Sequence, residues 1–193
     1  HGHHLMGIHD IYEIEDPWFR SPVLITHPME KIGRPYIEVP AYRIRGVVPT
    51  DLPDEARSMT APTEVTRQIG ANVAEFLRWN MQRGYIYRDK LILQSGVGSG
   101  ANAVLGAVGD SPDVPNFHIY TEVLQEEPLR LIREGRVVSA STGALTISSE
   151  HLKEVYQNMD EYRGRLLLRP SEISNCPEII ARLGICSLNT ALE

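Results

Sequence analysis

A glycine-rich turn and a single carboxylate are the two features of this chain that could do chemistry together. The turn is Ser95-Gly96-Val97-Gly98-Ser99-Gly100, with three glycines in five positions. Such a backbone bends tightly and lets a ligand come close. The carboxylate is Glu122, which follows the apolar run Phe117-His118-Ile119-Tyr120 and Thr121. A glutamate can attack an activated acyl group and hold it as a mixed anhydride. The tetrahedral intermediate on that path carries an oxyanion, which backbone N–H groups stabilise. The Gly96–Gly100 turn could supply such donors with no side chains in the way. Alone, Glu122 reads as a solvated residue at a strand end; its pairing with the turn gives it a chemical role.

Other chemistries fit less well. Gly96-x-Gly98-x-x-Ala101 matches the dinucleotide-binding pattern between a strand and a helix, which leaves an NAD-binding fold as one alternative. Yet Glu122 lies 26 residues beyond Gly96, longer than the usual interval of roughly 20. The third glycine sits one position early, at Gly100, and some 90 residues precede the unit. A phosphate-binding P-loop needs Gly-Lys-Ser/Thr, and here Ala101-Asn102 follows the glycines. Neither Ser95 nor Ser99 is flanked by the two glycines of a serine-hydrolase elbow. Cys176 and Cys186 are ten positions apart with no CxxC pair, and read as free thiols of a reducing cytoplasm. No zinc set surrounds them, so no metal site is expected. His1, His3 and His4 are set aside as a terminus or tag. His9 and His27 read as surface or hydrogen-bonded residues.

The elements that must position turn and carboxylate are a strand over Lys90–Gln94, a helix from Asn102 and a strand over Phe117–Tyr120. In an open α/β sheet ligands bind at the carboxyl ends of strands, so the turn and Glu122 should share one edge. Upstream, Tyr42–Val48 alternates like a strand, and Thr63–Arg83 is the best helix. Its apolar face runs through Val65, Ile69, Val73, Phe76, Leu77 and Met81, with Thr63 as N-cap and Gly84 as stop. Downstream come a helix over Glu126–Glu134, a strand over Val137–Ala140 and a helix over Ser148–Asn158. A strand over Arg165–Pro170, a helix beginning at Pro177 and closed by Gly184, and a strand over Ile185–Asn189 complete the chain. Strands alternate with helices, which predicts an α/β fold: a mostly parallel sheet with helices on both faces.

Bulk properties narrow the partners. The 193 residues include 25 acids and 19 bases, a net charge of −6, which argues against a nucleic-acid surface. With 42% hydrophobic and 23% charged residues the composition is that of an ordinary globular protein. No apolar run approaches the roughly 20 residues of a membrane span, and no signal-peptide pattern is present. A cytoplasmic protein is the expectation.

Beyond the turn and Glu122, a longer set of motifs carries a family likeness. These are Gln94-Ser95-Gly96-Val97-Gly98-Ser99-Gly100-Ala101-Asn102-Ala103-Val104 and Tyr120-Thr121-Glu122-Val123-Leu124-Gln125. Leu167-Leu168-Arg169-Pro170, Ile173-Ser174-Asn175-Cys176-Pro177-Glu178 and Asn189-Thr190 follow in order, and Gly7-Ile8-His9-Asp10-Ile11-Tyr12 precedes them. Through them, over most of residues 7–193, the chain resembles the acetyl-CoA hydrolase/transferase family, of the succinyl-CoA:acetate CoA-transferase type.

The resemblance implies that Glu122 is the catalytic glutamate, passing through an acyl-glutamyl anhydride and a glutamyl-CoA thioester. It implies that Val97, Gly98, Ser99 and Gly100 belong to the oxyanion and CoA-binding turn. Ser99-Gly100 departs from the family's usual Asn and apolar residue there. Asn175 matches a family asparagine that positions the glutamate or substrate carboxylate; read from the residues alone, it is equally a turn asparagine before a helix. CoA and acyl-CoA are implied as substrates rather than bound cofactors, with small carboxylates such as acetate and succinate as partners, in a homo-oligomer. Family members are about twice as long, with two similar α/β domains. The expected division is therefore a terminus and interdomain connector over 1–40 and an incomplete CoA-transferase catalytic domain over 41–193. A non-catalytic CoA- or ligand-binding module of the same fold is the other alternative.

Overall fold

The computed structural model describes residues 7–12, 18–19, 21–52 and 62–189. Five short strands form its sheet: β1 (Ile92–Ser95), β2 (Phe117–Tyr120), β4 (Val137–Thr142), β6 (Leu166–Leu168) and β7 (Cys186–Leu188). Their order is β6-β4-β2-β1-β7, and every neighbouring pair is parallel. Parallel neighbours need a crossover, and helices supply it. Helix α2 (Ser99–Asp110) joins β1 to β2, and α3 (Glu126–Arg133) leads to β4. Helices α4 (Ser149–Gln157) and α5 (Met159–Tyr162) lead to β6, and α6 (Ser171–Ser174) and α7 (Pro177–Leu183) to β7. A second, two-stranded parallel sheet pairs β3 (Val123–Leu124) with β5 (Ala144–Leu145) just past the ends of β2 and β4.

Side chains alternate across the sheet, and each face has its own core. Leu93, Phe117, Ile119, Val137 and Leu166 pack with Leu77, Leu105 and Leu131 of the helices. On the opposite face Ile92 and Tyr120 pack with Ile173, Ile179 and Leu183, and with Ile25 of the N-terminal segment. Helices therefore cover both faces of a parallel sheet, as the alternation of elements predicts.

The long helix forms where expected, as α1 (Glu64–Gln82), with a capping box between Thr63 and Thr66. Its buried face differs from the expected one. Gly70, Ala74, Leu77 and Met81 are buried, whereas Val65, Ile69 and Phe76 are exposed. Small residues let α1 approach α2 closely: a Cβ on Gly70 would stand 2.4 Å from Ala107 Cβ and 3.2 Å from Val104 Cα. The expected strand over Tyr42–Val48 is absent. A single 3-10 turn, Ala41–Arg43, is followed by extended chain with no strand partner, and Tyr42, Ile44, Val47 and Val48 are all exposed. Alternation marks a chain that fits a sheet, but among the described residues this segment pairs with neither edge of it. The polar loop expected over Thr50–Ala61 and the terminal histidines His1, His3 and His4 lie largely or wholly outside the described residues.

Candidate active site

The parallel sheet brings the ends of its strands to one edge. The Gly96–Gly100 turn leaves β1 there, Glu122 leaves β2, and β1 and β2 are direct neighbours. From β1 the chain adds β2, β4 and β6 on one side, and β7 returns to the other side of β1. The reversal between β1 and β7 is the switch point at which open α/β sheets bind ligands. The turn sits against it, with Gly96 N donating to Leu188 O at 2.9 Å. A Cβ on Gly96 would lie 2.9 Å from Asn189 Oδ1, so a larger residue here would push the Asn189 side chain aside. Asn189 and Gln94 exchange two amide hydrogen bonds, Nδ2 to Oε1 at 2.9 Å and Nε2 to Oδ1 at 3.3 Å, across the same gap.

Gly98 is the pivot of the turn. It has φ +117° and ψ 168° and is the N-cap residue of α2, with Asn102 N donating to its carbonyl at 3.0 Å. That backbone conformation is essentially restricted to glycine. The first amides of α2 have no partner in their own helix, which is the general condition of a helix start. They and the amide of Val97 are the donors the turn can offer an anion.

Glu122 lies in the gap between β2 and β3, with its main chain pinned. Its carbonyl accepts from Gly143 N (2.8 Å), Ala144 N (3.0 Å) and Thr142 Oγ1 (2.9 Å). Its side chain is exposed and forms no salt bridge among the described residues. The residues on either side of it are tied to the turn. Thr121, 1% exposed, donates from Oγ1 to Ser95 O at 3.0 Å. Gln125, 2% exposed, accepts from Gly98 N at 2.9 Å and donates from Nε2 to Gly98 O at 3.3 Å. A longer contact reaches Gly96 O at 3.5 Å. Turn and carboxylate are thus joined by two short tethers, a relation that no sequence spacing marks.

Asn175 reaches the same edge from the far strand. It ends α6, and its side chain is exposed. Tyr120 Oη donates to Ile173 O at 2.7 Å, which ties α6 to the strand that carries Glu122. Burial is the main cause that pushes the Tyr120 phenol up to about 12. A Cβ on Gly143 would lie 3.0 Å from Glu122 O and 3.7 Å from Ser174 Oγ, so the end of α6 lies close to the main chain of Glu122. Val97, Gly98, Ser99, Gly100, Glu122 and Asn175 therefore share one edge of the sheet.

The N-terminal segment is fastened to this edge as well. Asp10 and Arg169 form an ion pair with no exposure of either side chain. Arg169 also donates to Ser141 Oγ at 2.9 Å and Pro28 O at 3.1 Å, and Asp10 Oδ1 accepts from Gly33 N at 2.7 Å. An open concavity of about 890 Å³ lies elsewhere, between α1, α2 and α3, and none of the six residues borders it. Among the described residues no group of three or more His, Cys, Asp or Glu could hold a metal ion. No described helix is long and apolar enough to cross a membrane.

Thr121, Gln125 and the Gln94–Asn189 pair went unassigned from sequence. The available signal was a glutamine at the N-cap of α3, where Ser, Thr, Asp or Asn is favoured.

No protein-family model matches the chain. It is 43% identical over 174 residues to a propanoyl-CoA:succinate CoA transferase of Escherichia coli, a match covering 90% of this chain and 35% of that protein. It is 38% identical over 189 residues to a succinyl-CoA:acetate CoA-transferase of Clostridium kluyveri (98% and 35%). It is 35% identical over 187 residues to an acetyl-CoA hydrolase of Schizosaccharomyces pombe (97% and 36%). Among solved structures, RipA from Yersinia pestis shares the fold, with a TM-score of 0.55 and 23% identity over 72% of this chain and 31% of that one. The chain spans about a third of the length of the curated relatives it matches, not the half that the resemblance implies. Over 90–98% of its length the chain is therefore similar to CoA transferases and acetyl-CoA hydrolases.

Proposed function

We propose that Glu122 is the nucleophile of an acyl-CoA transferase or hydrolase. A Glu122 carboxylate oxygen attacks the thioester carbonyl carbon, the C–S bond breaks, and CoA leaves as thiolate with an acyl-glutamyl anhydride left behind. The thiolate then attacks the glutamyl carbon, which releases the first carboxylate and leaves a glutamyl-CoA thioester. An acceptor carboxylate attacks that thioester to form a second anhydride. The expelled thiolate takes the acceptor acyl group and frees Glu122. Water attacking either intermediate gives hydrolysis instead.

In this reading the amides of Val97, Ser99 and Gly100 are the oxyanion donors, and Asn175 positions the carboxylate of enzyme or substrate. Gly98 sets the turn, its own amide being held by Gln125. Small carboxylates such as acetate and succinate are the substrates, in line with the names of the relatives. Residues 1–40 are the connector and 41–193 part of the catalytic domain of a homo-oligomer. The observation that carries the reading is a pair of hydrogen bonds, Thr121 Oγ1 donating to Ser95 O and Gly98 N donating to Gln125 Oε1, which tie the glycine turn to the residues flanking Glu122.

The test uses a polypeptide of the relatives' full length that contains this chain. Acyl-CoA is added, then borohydride, and the modified peptide is mapped. Reduction of a thioester or anhydride at Glu122, abolished in Glu122→Ala, is the expected result. Turnover with Glu122 unmodified, or undiminished in Glu122→Ala, would overturn it.

A further inference from the structure

Granted Glu122 as the nucleophile, as proposed above, we infer that Gln125 is a positioning residue for the covalent step, locking the glycine turn in register with the carboxylate. Gln125 is the N-cap residue of α3, yet its side chain makes no capping hydrogen bond to that helix. A glutamine is poorly suited to capping, and the position forgoes the helix stabilisation that Ser or Asp gives. The amide is directed across to the turn that follows β1 instead. Its oxygen accepts from Gly98 N at 2.9 Å and its nitrogen donates to Gly98 O at 3.3 Å. Both polar ends of one side chain thus grip both polar groups of one glycine, and of the three glycines in the turn that is the one with a positive φ.

Burial makes the grip costly to break. Gln125 is 2% exposed, so loss of the contact leaves buried polar groups unpaired. Gln125 lies three residues after Glu122, and β3 between them is paired to β5. A short, pinned segment therefore connects nucleophile and grip. Thr121 makes the second tie, to Ser95 O, on the other side of Glu122. A local helix rule is broken here in favour of a long-range contact, which is the expected signature of a functional position.

Two variants test the assignment in the full-length polypeptide. Gln125→Met keeps length and removes every hydrogen bond. It should lower kcat roughly tenfold to a hundredfold, the scale for a reacting group misplaced by about 1 Å. KM for acyl-CoA should stay within about twofold, and the rate of adduct formation at Glu122 should fall with kcat. Gln125→Glu keeps the acceptor for Gly98 N, but when ionised its second oxygen faces the Gly98 carbonyl. Protonation restores a donor there, so its activity relative to the unsubstituted protein should rise as pH falls. Unchanged kcat in the first variant, or a flat ratio across pH in the second, would overturn the assignment. So would loss of folded protein in both, which makes Gln125 merely structural. Should Glu122→Ala remain active, the nucleophile itself is wrong, and the Gln125 variants are then read by kcat alone.

Discussion

Asp10 and Arg169 meet as a fully buried ion pair, 159 residues apart in sequence, at the carboxyl end of β6. Burial pulls the Arg169 guanidinium down from its ordinary value, and the neighbouring Asp10 charge is the chief opposing influence. Asp10 accepts from Gly33 N and Ile32 N, so one carboxylate gathers the N-terminal segment around one guanidinium. Asp10→Asn removes the negative charge and strands a buried cation. The expected loss is about 3–5 kcal/mol of stability, the range for breaking one side of a buried pair. It is read as a lower urea midpoint with an unchanged slope. The exposed pair Arg163–Asp160 is the control, and its removal should have little effect.

Gly70→Ala sets two effects against each other. Alanine is the better helix former by about 1 kcal/mol. Its Cβ, however, would come 2.4 Å from Ala107 Cβ, and neither group is a flexible side chain that can swing away. Overpacking of this kind costs about 1–3 kcal/mol, so net destabilisation is expected, seen as a lower Tm. Ala107→Gly in the same chain should recover most of the loss, and that non-additivity identifies the α1–α2 contact as the cause.

The same contact explains where the sequence was legible and where it was not. The α1 boundaries are readable because Thr63 and Gly84 act locally. The buried face is misread because hydrophobic periodicity rewards large residues, whereas Gly70 and Ala74 are buried for being small. Tyr42–Val48 alternates yet finds no strand partner among the described residues, since pairing depends on tertiary placement that local pattern does not report. The two-residue strands β3 and β5 are too short to leave a pattern. The edge shared by the turn and Glu122 is readable, because strand–helix–strand order in a parallel sheet places both strand ends together. The Gln125 grip on Gly98 is not, because a contact across 27 residues leaves no spacing rule.

Tyr120 gives an alkaline signature. Its phenol is held up at about 12 against an ordinary 10.0, with burial the largest cause. The unfolded chain loses this proton near pH 10 while the folded protein keeps it. The folded state then binds more protons, so stability falls as pH rises from 10 to 12. Two units correspond to about 3 kcal/mol. In Tyr120→Phe that part of the alkaline slope should vanish, measured as the difference in unfolding free energy between the two proteins across this window. The variant also leaves Ile173 O without the Tyr120 hydrogen bond, which lowers stability at neutral pH by about 1–3 kcal/mol. The slope, not the offset, is the test.

Gly98→Ala separates backbone conformation from space at the turn. A Cβ at Gly98 would meet nothing within 4 Å, so no steric neighbour resists it. The resistance comes from φ +117° with ψ 168°, which costs a non-glycine residue about 1–3 kcal/mol. The chain will relieve that strain by rotating the peptides that carry the Gly98 and Ser99 amides. Stability should drop modestly, and the rate of adduct formation at Glu122 should drop further than stability explains. Gly100→Ala is the comparison for stability: its Cβ also meets nothing, its φ is not positive, and it lies within α2. Alanine there should raise stability by about 0.4–1 kcal/mol. Equal Tm values for the two variants would show that the positive φ of Gly98 is not under strain when substituted, and that the turn tolerates a second conformation.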